Sequence, residues 1–398
     1  MRGIALITAG SLGVLAVMCG IVAMLIAASV PPDKHIMGSS PQDQNKAAAP
    51  VKLAAGPAIP PSVVTKGSRF GTIEIASSGI KGIEWHITPD DARRLFLVKA
   101  GNDGSRYQIF ESAMARHFAD FNTKLQDRRN SPEAVDAVAA FMRRMKAHKI
   151  PVQNIFIVIS SGVADLPQLG ELEKSVTART GIKPDVITPQ LECSYTFDWI
   201  VPPAHALDSA VVDMGSGNTK ACYVEPGADT DRSRGIELLP YGAKTFETKV
   251  NSSKKPNVTF ARTSARVAPD AVGPLIDQAI DGNPGFLSRS RYYVVGGTAW
   301  VTAMLVHSSQ SKDDFISLSA PSDFIALRKM TLAEQADMGK LRDPFTPNQL
   351  VAGLDILIAI SNNLNLNKKT VLFAAPARDA WMSNYLMSKL AQIEPPAE

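Results

Sequence analysis

Beyond residue 68 the chain alternates short apolar, β-branched runs with stretches of helical period, and two of the runs fold back on themselves through small residues. Residues 70–75 read as a strand, Ala76-Ser77-Ser78-Gly79 as a turn, and residues 80–87 as the return strand of a hairpin. The design recurs further on, where residues 209–214 run apolar into an acid, Gly215-Ser216-Gly217-Asn218 turns, and residues 219–224 return. Between them, Ser131-Pro132-Glu133 supplies a cap, a first-turn proline and a first-turn acid, and Val135, Val138, Met142 and Met145 share a helical face. Residues 154–159 are a buried strand, a polar helix runs to Thr180, and residues 184–187 form another short strand. A third glycine turn, Gly296-Gly297-Thr298, joins a strand at 292–295 to a helix at 299–307. A helix at 347–366, a strand at 370–373 and a helix at 377–390 complete an α/β order.

Upstream, residues 3–32 carry no charge and residues 4–30 are almost wholly apolar, enough to cross a hydrocarbon layer of about 30 Å as a helix. The reading is a membrane anchor over residues 1–30. A cleaved signal peptide competes, with Ala27 and Ser29 as small residues for a cleavage site, but the run exceeds the usual ~7–15. Arg2 and the terminal amine favour an N-terminus in the cytoplasm, which puts the rest on the non-cytoplasmic, periplasmic side, although Lys34 and Lys46 weaken the bias. Residues 31–68, with Pro31, Pro32, Pro41, Pro50, Pro57, Pro60 and Pro61, form a semi-extended linker. Of the 398 residues, roughly 330 then remain, more than one core usually serves, so two lobes are expected, at 69–204 and 205–398.

Composition narrows the chemistry. With 45% hydrophobic and 20% charged residues the chain is not largely disordered. Its net charge of +4 is spread without a basic patch, so no nucleic-acid partner is expected, while an anionic substrate is compatible. Six scattered histidines and three cysteines give no zinc spacing, and Cys193 and Cys222 are too few for a disulfide framework, which leaves the redox compartment open. The glycine and serine tips carry more information. Each presents amides and hydroxyls, and two facing tips cradle phosphate oxygens without side-chain cost. Asp213, just before one tip, is placed to hold a divalent metal directly or through water.

Three segments in order carry a family resemblance: Glu74-Ile75-Ala76-Ser77-Ser78-Gly79-Ile80-Lys81, Asp213-Met214-Gly215-Ser216-Gly217-Asn218-Thr219-Lys220 and Val295-Gly296-Gly297-Thr298-Ala299. They resemble the first phosphate, second phosphate and third glycine motifs of the actin, sugar kinase and heat-shock protein superfamily. Within it, Leu238-Leu239-Pro240-Tyr241-Gly242-Ala243-Lys244-Thr245 and Thr188-Pro189-Gln190-Leu191-Glu192-Cys193 resemble segments of the exopolyphosphatase and guanosine pentaphosphate phosphohydrolase (Ppx/GppA) family. The resemblance implies two ribonuclease-H-like, actin-like ATPase lobes around a central cleft, behind one transmembrane helix. It further implies metal-assisted hydrolysis of a terminal phosphoanhydride in polyphosphate or a guanosine penta- or tetraphosphate, with Mg²⁺ or Mn²⁺ as cofactor. Glu192 takes the role of catalytic base, Asp213 and Glu74 hold the metal, and Ser77, Ser78, Gly79, Lys81, Gly215, Ser216, Gly217, Asn218, Thr219, Gly296 and Gly297 bind phosphate. A lipid bilayer at residues 4–30 and a second copy of the chain complete the expected partners.

The chain departs from the pattern in four places. Glu74 replaces an aspartate, Ala76 a glycine, Ala164 a phosphate-binding arginine, and Lys220 an acidic residue. Two alternatives therefore stand beside hydrolysis: a binding or scaffold module that has lost turnover, and an actin-like or apyrase-like nucleoside triphosphatase.

Overall fold

The computed structural model describes residues 68–88, 90–91, 114–120, 131–164, 166–225, 233–307, 315–333, 345–374, 380–390 and 392. The expected anchor at 4–30 and linker residues 31–67 lie outside the described residues. Among those described, no helix is long and apolar enough to cross a membrane.

The first sheet has five strands: β1 (Ser68–Ala76), β2 (Gly79–Ile87), β3 (Met114–Asp120), β4 (Ile155–Ile159) and β5 (Asp185–Val186), in the order β3-β2-β1-β4-β5. β1 to β3 form an antiparallel meander, and β4 and β5 add in parallel on the other side of β1. The second sheet has six: β6 (Ser209–Met214), β7 (Thr219–Val224), β8 (Ser233–Leu239), β9 (Arg291–Val295), β10 (Phe315–Leu318) and β11 (Thr370–Ala374). Its order, β10-β11-β9-β6-β7-β8, contains the first sheet's plan again: an antiparallel β6–β7–β8 meander with β9 and β11 parallel beside it. The two hairpins legible in the sequence are the founding strands of the two sheets. The two-lobed α/β class is therefore as expected.

Helices cover the sheets. On the first, α1 (Ser131–Ala147) and α2 (Leu169–Thr180) bury Val138, Met142, Met145, Leu172 and Val176 against Ile73, Ile75 and Ile157. α3 (Pro189–Ile200) lies between the sheets, started by Thr188, whose hydroxyl accepts from Leu191 N–H at 3.2 Å, with Pro189 in the first turn. On the second sheet, α4 (Ala243–Ser252), α5 (Phe260–Asp281), α6 (Gly297–Val306), α7 (Ser322–Ala333) and α8 (Pro347–Asn363) form the largest apolar cluster with β6, β7 and β9. α8 carries a full capping box, Thr346 with Gln349. The last helix, α9 (Ala380–Leu390), returns to α3, where Asn384 donates to the Tyr195 carbonyl at 2.7 Å and the Tyr385 hydroxyl bonds Asp185 at 2.5 Å.

The central cluster holds a feature that cysteine number argued against. Cys193 on α3 and Cys222 on β7 are joined by a disulfide, with Cα atoms 6.0 Å apart. Spacing along the chain gave no sign of it because the helix and the strand meet only through the packing of the two lobes. α5 was equally hidden, since Pro269 and Pro274 lie inside it and each removes a backbone donor.

Candidate functional site

The two hairpin tips, the end of β4, the start of α3 and the β9–α6 turn surround one cavity of about 400 Å³. All lie at the carboxyl ends of the parallel strands, where open α/β sheets place their ligands. Ser77, Ser78, Lys81, Gly215, Ser216, Gly217, Asn218, Gly296 and Gly297 line it, together with Glu74, Glu192 and Asp213. Two expected phosphate ligands are not in the lining. Gly79 sits in the ladder opposite Ala76, and the Thr219 hydroxyl donates to the Tyr241 carbonyl at 2.7 Å, which makes it a brace for the second tip.

Local backbone explains why the tips hold their shape. The Gly215 N–H donates to the Asn218 carbonyl at 3.0 Å, closing the second turn, and the Gly242 N–H donates to the Gly217 carbonyl at 3.0 Å, seating the turn on the start of α4. The tips also meet across the lobes. The Ser77 and Ser216 hydroxyls are hydrogen-bonded, Lys244 Nζ donates to the Ser77 carbonyl at 3.0 Å, and Asn218 Nδ2 reaches Ser161 Oγ at 3.2 Å. Gly217 lies so close to Gly162 that a Cβ there would enter the Gly162 backbone, and Gly296 has φ of +99°, a conformation that side-chain-bearing residues rarely adopt.

Charge in the cavity is arranged as acid–lysine pairs. In the first hairpin Glu74 faces Lys81 across the ladder, with Lys81 Nζ 3.0 Å from Glu74 Oε2. In the second, Asp213 faces Lys220 at the equivalent register, with Nζ 3.3 Å from Asp213 Oδ2 and 2.6 Å from Glu192 Oε1. The other Glu192 oxygen accepts from Ser161 N–H at 2.8 Å. Burial pushes the Glu192 carboxyl up, but the Lys220 charge and the donors from Lys220 and Ser161 outweigh it and hold the group below its ordinary pKa. For Asp213 burial wins: it raises the carboxyl against the pull of Lys220, and Glu192 adds repulsion. For Lys220, burial lowers the pKa but Asp213 and Glu192 together more than reverse it, so the ammonium is held charged.

A divalent cation fits this donor set poorly. Each carboxylate expected to serve it, Glu74 and Asp213, already lies within 3.3 Å of a lysine ammonium, and among the described residues no cluster of three or more His, Cys, Asp or Glu is arranged for a metal. For Lys220 the register opposite Asp213 was the available signal; also absent from the expected site residues were Ser161, Lys244 and the aromatic lining from Trp300, Phe345, Phe373 and Trp381. Those four come from α6, α9, β11 and the segment before α8, which meet only in the folded chain.

Paired sheets of one topology, with glycine and serine tips facing a cleft, define an actin-like, two-lobed architecture. Within it, solved structures similar to this chain include exopolyphosphatases and a Ppx/GppA phosphatase. An exopolyphosphatase from Cytophaga hutchinsonii aligns over 83% of this chain and 100% of its own, with a TM-score of 0.57 at 14% identity. An exopolyphosphatase-like protein aligns over 77% and 94%, with a TM-score of 0.54 at 16% identity. The Aquifex aeolicus Ppx/GppA phosphatase aligns over 81% and 99%, with a TM-score of 0.51 at 14% identity. No family sequence model and no curated protein matches the chain. The fold implied by the three motifs is thus the fold found, and at these identities the likeness is one of fold.

Proposed function

We propose that the cleft binds the terminal phosphates of a condensed-phosphate anion, polyphosphate or a guanosine tetra- or pentaphosphate, and hydrolyses the terminal phosphoanhydride. The observation that carries this reading is the convergence of both hairpin tips and Glu192 on a single cavity. Backbone amides and serine hydroxyls of the tips would hold the phosphoryl oxygens, and Lys81 and Lys220 would offset their charge. Water attacks the terminal phosphorus, the bond to the bridging oxygen breaks, Glu192 receives the water proton, and inorganic phosphate and the shortened anion leave.

One observation favours binding without turnover. Both Glu192 oxygens are engaged, by Lys220 and by Ser161 N–H, and a carboxylate held below its ordinary pKa is a weak base. A single experiment separates the readings: phosphate release from polyphosphate and from guanosine pentaphosphate by the wild type and by Glu192→Gln. Hydrolysis predicts release that the variant loses by about 10²-fold or more. Binding alone predicts an increase in thermal stability with either anion and no release above the variant.

We further propose that residues 4–30 tether the domain to a membrane and that it faces an oxidising, non-cytoplasmic compartment. Support comes from the uncharged run at 3–32 and from the buried disulfide, a bond rare in reducing compartments.

A further inference from the structure

We propose that Lys220, seconded by Lys81, is the built-in cation of the cleft, so that a condensed-phosphate anion binds here without a divalent metal. The inference rests on the phosphate reading above and concerns how that site is charged.

Three observations meet at this point. The Lys220 side chain is 3% exposed, yet it lines the cavity, and its Nζ bridges Glu192 at 2.6 Å and Asp213 at 3.3 Å. A bridge between two carboxylates at the floor of a phosphate cleft is the position a divalent ion would otherwise take. The same solution occurs in both lobes: Glu74 with Lys81 and Asp213 with Lys220 stand at matching positions, each acid two residues before its turn and each lysine two residues after it, directly opposite. Lastly, the ammonium lies beside the second tip, where a Cβ on Gly215 would be 3.7 Å from it. An ammonium has three donors, and with two directed at Glu192 and Asp213 the third is available to a phosphate oxygen held by that tip. A metal entering here would have to displace a buried charge from two carboxylates at once.

The test is calorimetric titration of the full-length protein in detergent with inorganic tripolyphosphate, once in EDTA and once with Mg²⁺ in excess of the anion. The expected result is binding in EDTA, with an affinity within about fivefold of that in Mg²⁺. Lys220→Met should bind at least about tenfold more weakly in EDTA and recover with Mg²⁺, because the two released carboxylates then form a metal site. Binding by the wild type only in Mg²⁺ overturns the proposal and leaves the phosphate reading standing. Binding in neither buffer overturns both. An equal loss by Lys220→Met in both buffers assigns Lys220 a structural role and overturns its part, as does wild-type affinity of that variant in EDTA. Should Lys220→Met fail to fold, the wild-type comparison alone decides.

Discussion

Lys220 bears on stability and on the proposed function at the same place. Its ammonium neutralises Glu192 and Asp213, both buried, so removing it strands two buried carboxylates. Lys220→Met is expected to lower unfolding free energy by about 3–5 kcal/mol, and Lys220→Met with Glu192→Gln by less, because the second change removes one stranded charge. Chemical denaturation of the two variants checks the difference. Glu192 also sets a pH dependence with a definite sign. Its folded pKa lies below the unfolded value of about 4.3, so the stability it contributes is present above that value and is lost as pH falls through the folded one. Asp213, raised in the fold, works the other way, and its contribution fades as pH rises through its folded value. The gap in melting temperature between wild type and Glu192→Gln should therefore narrow as pH drops from about 6 to below about 4.

At the scale of elements, the disulfide is where the fold does something that the order of residues does not announce. It fastens α3, which carries Glu192, to β7, which carries Lys220, one residue from the first and two from the second. Closing a loop with a sequence separation of 29 is worth roughly 3–4 kcal/mol on the chain-entropy account. Reduction, or replacement of both Cys193 and Cys222 by serine, should lower the melting temperature and loosen the Glu192–Lys220 pair; an unchanged melting temperature under reductant would contradict this. The hairpins themselves were legible. Their strands alternate or run apolar between glycine and serine turns, and β6 and β7 have the expected bounds. α5 was not legible, since its amphipathic face is interrupted by Pro269 and Pro274, and a helix that long tolerates them only because its apolar side is packed along α8 and β8. Register supplied what composition could not: the acid near the end of each first strand meets a lysine on the return strand, so each expected metal ligand stands in an ion pair.

At the scale of the molecule, the repeated sheet plan explains why so few motif residues specify a cleft. Each lobe carries its own hairpin at the carboxyl end of its parallel strands, and packing the lobes through α3 and α9 brings the two tips face to face. The site is therefore a property of the pair, with Ser77, Lys244 and Asn218 making the contacts across it. An anion bound between the tips must contact amides from both lobes. Amide hydrogen exchange of the full-length protein, with and without inorganic tripolyphosphate, tests this most directly. Adding the anion should slow exchange in both 77–79 and 215–219; slowing in one tip alone, or at neither, would contradict binding between the tips.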